Sequence, residues 1–259
     1  MQSVRPAAVA GAFYPAEPRE LAGLVGRLLA DARPPRLEQV PKALIAPHAG
    51  YVYSGPIATT AFACWAGRCA GVRRVVLLGP AHFVPLSGLA LPVAAAHETP
   101  LGTIGHDEPE ALRGLPQVFH SDEAHAREHS LEVELPFLKT VCGSFALVPL
   151  AVGSASPEEV ASVLDALWGG EETRIVISSD LSHYLPYDEA RRRDERSARR
   201  IEALEPLEGG DACGAHGVNG LLLAARRRGL RATRLDLRNS GDTAGDRSAV
   251  VGYGAWALA

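Results

Sequence analysis

RIVISSDLSH, residues 174–183, changes character halfway along. Ile175, Val176 and Ile177 form an apolar, β-branched run of the kind buried on both faces of a parallel sheet. Ser179, Asp180 and His183 then supply a hydroxyl, a carboxylate and an imidazole. The same change occurs twice upstream: KALIAP (42–47) leads into His48, and RVVLLGP (74–80) leads into His82. FALVPLAVG (145–153) and AVVGYGAWAL (249–258) read as two further strands. Helical patterns separate them. Leu21, Leu24, Val25, Leu28 and Leu29 lie on one face of a helix, and Ser156-Pro157-Glu158-Glu159 is a capping box that opens another, with Val160, Val163, Leu164 and Leu167 facing inward. Alternating strands and helices predict an α/β fold with a central, mainly parallel sheet covered on both sides, in one domain spanning residues 1–259.

The segment 187–204, YDEARRRDERSARRIEAL, reads as a solvated helix whose opposite charges neutralise each other at i, i+3 and i+4. Arg226, Arg227, Arg228, Arg231 and Arg234 are less balanced and are a candidate surface for an anionic partner. Over the whole chain of 259 residues, 26 basic and 30 acidic residues give a net charge of −4. That balance supplies no general attraction to a phosphate backbone, so nucleic acid is not the expected partner. The longest apolar stretch, 75–96, is broken by Gly79, Pro80, Pro85, Gly88 and Pro92, so neither a membrane span nor a secretion signal is expected. Of the four cysteines, Cys64, Cys69 and Cys142 read as small buried hydrophobes with no disulfide framework, which fits a reducing, cytoplasmic location.

In open α/β sheets the functional crevice lies beyond the carboxyl ends of the strands, so the turns holding His48, His82 and Asp180 with His183 are expected to share one pocket. Cys213, in GGDACGAHGVNGLL, sits at an expected helix start capped by Asp211, where the free N–H groups would favour a thiolate. His129, beside Glu128 and Glu132 in EHSLEVELPFL, belongs to a grouping that offers either a carboxylate to orient a metal-binding imidazole or, in His129, a proton carrier. That segment fits a strand by Leu131, Val133 and Leu135, or a helix by Leu131, Leu135 and Leu138. Two imidazoles and a thiolate suit zinc, iron or copper, and three protein ligands leave a coordination position open.

Six ordered motifs, APHAGYVYSG (46–55), LLGPAHF (77–83), EHSLEVELPFL (128–138), SSDLSHY (178–184), CGAHGVNGLL (213–222) and NSGDTAGDRSAVVGYGA (239–255), resemble the Memo family. Its bacterial and archaeal members are called component B of the AmmeMemoRadiSam system. The resemblance runs from GAFYP (11–15) to the C-terminus and implies an α/β/α sandwich similar to class III extradiol ring-cleaving dioxygenases. It implies that His48, His82 and Cys213 bind one divalent metal, iron foremost, with copper or zinc as alternatives. Asp180 and His183 would line the cleft, His183 standing where the related dioxygenases place their catalytic base. Cys213 stands where non-haem iron oxygenases use a carboxylate, which directs the expectation away from ring cleavage and toward a metal-dependent redox or dioxygenase-like enzyme. The alternatives are a non-catalytic module binding a peptide or protein in the same cleft, as eukaryotic relatives have been described, and a metal-dependent hydrolase or transferase. Expected partners are a small-molecule or peptide ligand and, from the bacterial system, radical-SAM and AMMECR1-like proteins.

Overall fold

The structure, a computed structural model, describes residues 3–259. Its strands are β1 (Val4–Arg5), β2 (Ala43–Ala46), β3 (Arg74–Pro80), β4 (Leu89–Leu91), β5 (Ala96–His97), β6 (Ile104–Gly105), β7 (Val118–His120), β8 (Ala146–Val152), β9 (Thr173–Ser178), β10 (His183–Leu185), β11 (Ala232–Asn239) and β12 (Val250–Leu258). The helices are α1 (Pro18–Asp31), α2 (Tyr51–Ala63), α3 (Asp122–Ala126), α4 (Leu135–Cys142), α5 (Pro157–Leu167), α6 (Tyr187–Glu202) and α7 (Ala215–Arg227). All five expected strands are present within a residue or two of the predicted bounds.

A nine-stranded sheet has the order β10-β12-β2-β9-β3-β8-β4-β7, with β11 also paired to β12. β2, β9, β3 and β8 are mutually parallel and form its centre, while β12 joins β2 antiparallel and β4 joins β8 antiparallel. The parallel expectation therefore describes the centre, and the flanks are mixed. Alternate residues of each central strand face opposite layers. Leu44, Ala46, Val75, Leu77 and Val176 pack with α1, α2 and α4, whereas Ala43, Ile45, Val76, Leu78, Ile175 and Ile177 pack with α5, α6 and α7. This is an α/β sandwich, and both faces of the central strands are apolar because both are covered.

Register fixes where the strand-end turns fall. Ala46 pairs with Ser178 and Leu78 with Ile177, so β2, β3 and β9 end at nearly the same level. The capping box at Ser156 forms as expected, Ser156 accepting from the Glu159 N–H and Glu159 from the Ser156 N–H. EHSLEVELPFL resolves into one 3₁₀ turn, Glu132–Glu134, running directly into α4.

Two cysteine expectations need correction. Cys69 and Cys142 are joined in a disulfide, because the segment after α2 lies against the end of α4 with the two Cα atoms 5.0 Å apart. Cys64 is free and buried, as expected. The arginine patch is also partly neutralised: Arg227 and Arg228 pair with Asp165, and Arg234, which lies in β11, pairs with Glu195 and Glu202. Among the described residues no helix is long and apolar enough to cross a membrane.

Candidate metal centre

The turns after β2, β3 and β9 meet, as the strand-end pattern predicts. The His48 and His82 rings lie edge to face, their centroids 5.3 Å apart. Cys213 joins them from the connection between α6 and α7: its Sγ is 3.4 Å from His48 Nε2, and its backbone N–H donates to the Asp180 carbonyl. One ligand atom from each of His48, His82 and Cys213 falls within 4.8 Å of the others. Gly214 makes this approach possible, since a Cβ there would stand 2.6 Å from Ser179 Cβ. Its N–H donates to Ser179 Oγ, tying the turn to the end of β9.

Both imidazoles are oriented through Nδ1. His48 Nδ1 lies 2.7 Å from Ser178 Oγ, and His82 Nδ1 lies 2.9 Å from Glu128 Oε1. Nε2 of each ring is left for a ligand. Glu128 also accepts the backbone N–H groups of His82, His129 and Ser130. Burial alone would raise its carboxyl, but these donors and the His82 ring hold it down at about 2. Burial, reinforced by His82, His129 and His183, pushes His48 well below the usual histidine value, so it is neutral at neutral pH.

Asp180 Oδ1 accepts the His48 backbone N–H at 2.9 Å, and Oδ2 lies 4.0 Å from His48 Nε2. Burial raises the Asp180 carboxyl to about 7 against the pull of the His48 N–H, His82 and the Ala49 N–H. His129 stacks on His82, with centroids 4.7 Å apart and planes 17° apart, and Phe13 packs on its ring at 4.9 Å. Its Nδ1 is buried without a hydrogen-bond partner, and His82, Glu128 and His129 form a second group of closely spaced ligand atoms. His183 is exposed, its Nδ1 2.9 Å from the Leu181 carbonyl, so it stands at the open side and not within the cluster.

Some expected roles change. Asp211 does not cap α7, because it accepts from the Glu208 N–H and pairs with Arg193, and Gly214 opens the helix without a side-chain cap. Cys213 therefore gains little from the helix start, and burial, followed by the charge of Asp180, pushes its thiol up instead of down. Glu132 supports no imidazole. It is buried against Arg5, accepts from the Tyr14 hydroxyl and takes the N–H groups of Ala8 and Val9, which straps the N-terminal segment to the 3₁₀ turn. Of the remaining histidines, His97, His106 and His125 form a separate neutral cluster in which His97 Nδ1 contacts His106 Nε2 at 2.6 Å. His120 pairs with Glu108, and His216 Nδ1 lies 2.7 Å from the Ala155 carbonyl. Ser178 and Glu134 escaped the sequence reading; a glutamate between Val133 and Leu135 was the available signal.

The profile of the family described as Memo-like protein matches residues 5–257. A MEMO1 family protein of Aquifex aeolicus is 36% identical, the alignment covering 96% of this chain and 97% of the relative. Another from Ignicoccus hospitalis is 36% identical with 97% of each chain covered, and one from Sulfolobus acidocaldarius is 33% identical with 96% and 97% covered. Matches of this extent, over a chain whose strand ends converge on the quoted motifs, place it in a family: the chain belongs to the Memo-like proteins.

Proposed function

We propose that this protein is a metal-dependent redox enzyme of dioxygenase-like character, in which His48, His82 and Cys213 hold one divalent metal, iron before copper or zinc. The observation that carries the reading is the convergence of three donors from three separate loops, with both imidazoles turned by Nδ1 partners. The spacing fits. Metal–nitrogen and metal–sulfur bonds of about 2.1 and 2.3 Å at a tetrahedral angle set the two ligand atoms ~3.6 Å apart, against the 3.4 Å between His48 Nε2 and Cys213 Sγ. When bound, the metal would supply a Lewis-acidic, redox-capable centre with a position open to O₂ or substrate.

The surrounding residues handle protons. Asp180, poised near neutrality, can hold or release one beside the ligand set. His183, exposed at the open side but with its ring partly desolvated so that its pKa is lowered, is a neutral base facing incoming substrate. His129 offers a buried, unpartnered Nδ1 next to His82. Oxygen uptake with reductant or candidate catechols, measured alongside metal content, tests the reading. His183→Gln should keep its metal and lose about 10²–10⁴ of any turnover; unchanged turnover would overturn the catalytic role.

A second reading, a non-catalytic peptide- or protein-binding cleft, is favoured by one feature. Tyr53, Phe83 and Tyr184 are 40%, 45% and 76% exposed, and they follow the site histidines His48, His82 and His183 closely in sequence. For that reading the radical-SAM and AMMECR1-like proteins are the partners to try by pull-down with metal-loaded and metal-free chain.

A further inference from the structure

The Ser178 hydroxyl, at the end of β9, meets three groups: His48 Nδ1 at 2.7 Å, the Ser130 carbonyl at 2.7 Å and Glu134 Oε1 at 2.8 Å. A serine hydroxyl has one proton and two lone pairs. The carbonyl can only accept, so the serine proton goes to it. Both remaining neighbours must then donate, which requires a proton on His48 Nδ1 and a proton on Glu134. An ionised Glu134 would set two acceptors against a single serine proton and leave a close oxygen–oxygen contact with no hydrogen in it.

The surroundings of Glu134 point the same way. Its side chain is 0% exposed, and Oε2 is buried without a partner. Among the described residues no cation bonds it, and the nearby Tyr51 hydroxyl donates to the Val133 carbonyl. A lone buried carboxylate is strongly disfavoured in such a place, whereas the neutral acid leaves only one carbonyl oxygen unpaired. Burial, reinforced by the charge of Asp180, pushes the Glu134 carboxyl well above the usual range.

We propose that Glu134 is a neutral, proton-donating positioning residue that acts through Ser178 to hold His48 as its Nδ1–H tautomer, keeping the Nε2 lone pair free for a metal. The two imidazoles are then tuned differently. His82 donates to the anionic Glu128 and is the stronger electron donor to a metal; His48 donates to a neutral hydroxyl and is the weaker one. The positioning role rests on the metal reading above, whereas the proton on Glu134 does not depend on it.

Two measurements separate these claims. On metal-free protein at pH 7, the infrared difference between wild type and Glu134→Gln should contain a carboxylic-acid C=O band that shifts on deuteration; its absence would overturn the protonated state. Cobalt(II) titration, followed by thiolate charge-transfer absorption, should give Glu134→Gln, whose amide still donates, an affinity within about threefold of wild type. Glu134→Leu and Ser178→Ala should each bind cobalt roughly 10–100-fold more weakly. Because Leu at a buried polar site can compromise folding, Ser178→Ala is the decisive variant, with its fold checked by circular dichroism. Wild-type affinity in folded Ser178→Ala would overturn the positioning role. Failure of wild type to bind cobalt would overturn the metal reading and the positioning role with it, while the infrared band is read independently.

Discussion

Asp194, on α6, grips the turn that carries Asp180 and His183, and replacing it by Asn should change the pH dependence of stability. Its side chain is buried, and Oδ1 accepts the Ser182 N–H at 3.0 Å. Arg193, next to it in sequence, bridges to Asp211 instead. Burial raises the Asp194 carboxyl from 3.8 to about 6, opposed by the hydrogen bonds from Ser182. At 1.36 kcal/mol per tenfold, that change makes the ionised form ~3 kcal/mol less favourable in the folded chain than in the unfolded one. A folded-state value above the unfolded one means that the native chain holds the proton more tightly. The associated stability is therefore fully present below pH 3.8 and is lost as pH rises through 6. Asp194→Asn has no proton to lose, and its amide oxygen still accepts from Ser182. Relative to wild type it should gain about 3 kcal/mol from the acid to the alkaline limit, roughly half of it between pH 5 and pH 8. Urea unfolding of both proteins over that range measures the difference directly. A gap that does not change with pH would refute the reasoning.

Ser156→Ala removes the hydroxyl that accepts the Glu159 N–H in the capping box on α5 and should cost ~1 kcal/mol, read as a lower urea midpoint at constant slope; no change would mean that the hydroxyl adds nothing. Reduction of the Cys69–Cys142 bond, which closes a loop of 73 residues, should destabilise the protein by about 4 kcal/mol on the chain-entropy account, with equal stability under oxidising and reducing conditions as the contrary result. Glu128→Gln should weaken cobalt binding about 10–100-fold by loosening His82, an effect visible in the same thiolate absorption; unchanged affinity would detach Glu128 from the site.

The parts of this molecule legible in its sequence are those whose physics is local. The central strands announce themselves because burial on both faces demands unbroken apolar runs, as in RVVLLGP, and His48, His82 and Asp180 are conspicuous because polar residues follow such runs directly. α2 was not legible. It contains Pro56 and is buried nearly all round, from Tyr51 to Phe62, so it shows no polar face to give a 3.6-residue period. β4, β7 and β10, each three residues long, are too short to form a pattern. Cys213 misled in a different way: proximity to a helix start suggested an acidic thiol, but the tertiary packing that brings it within 3.4 Å of His48 also desolvates it. The sequence left the segment holding Glu134 open between strand and helix, and it is the 3₁₀ turn over Glu132–Glu134 that sets Glu134 against Ser178. The Cys69–Cys142 bond likewise depends on long-range packing that no local spacing encodes.

The central claim is that His48, His82 and Cys213 hold one metal between them. Elemental analysis of protein purified without oxygen, chelator or nickel affinity media tests it most directly, with wild type, His48→Ala, His82→Ala and Cys213→Ala compared and circular dichroism confirming that each is folded. The account predicts about one equivalent of metal in wild type and its loss in all three folded variants, because removing one of three ligands leaves too few to retain the ion. Full metal content in folded His48→Ala or Cys213→Ala would contradict it.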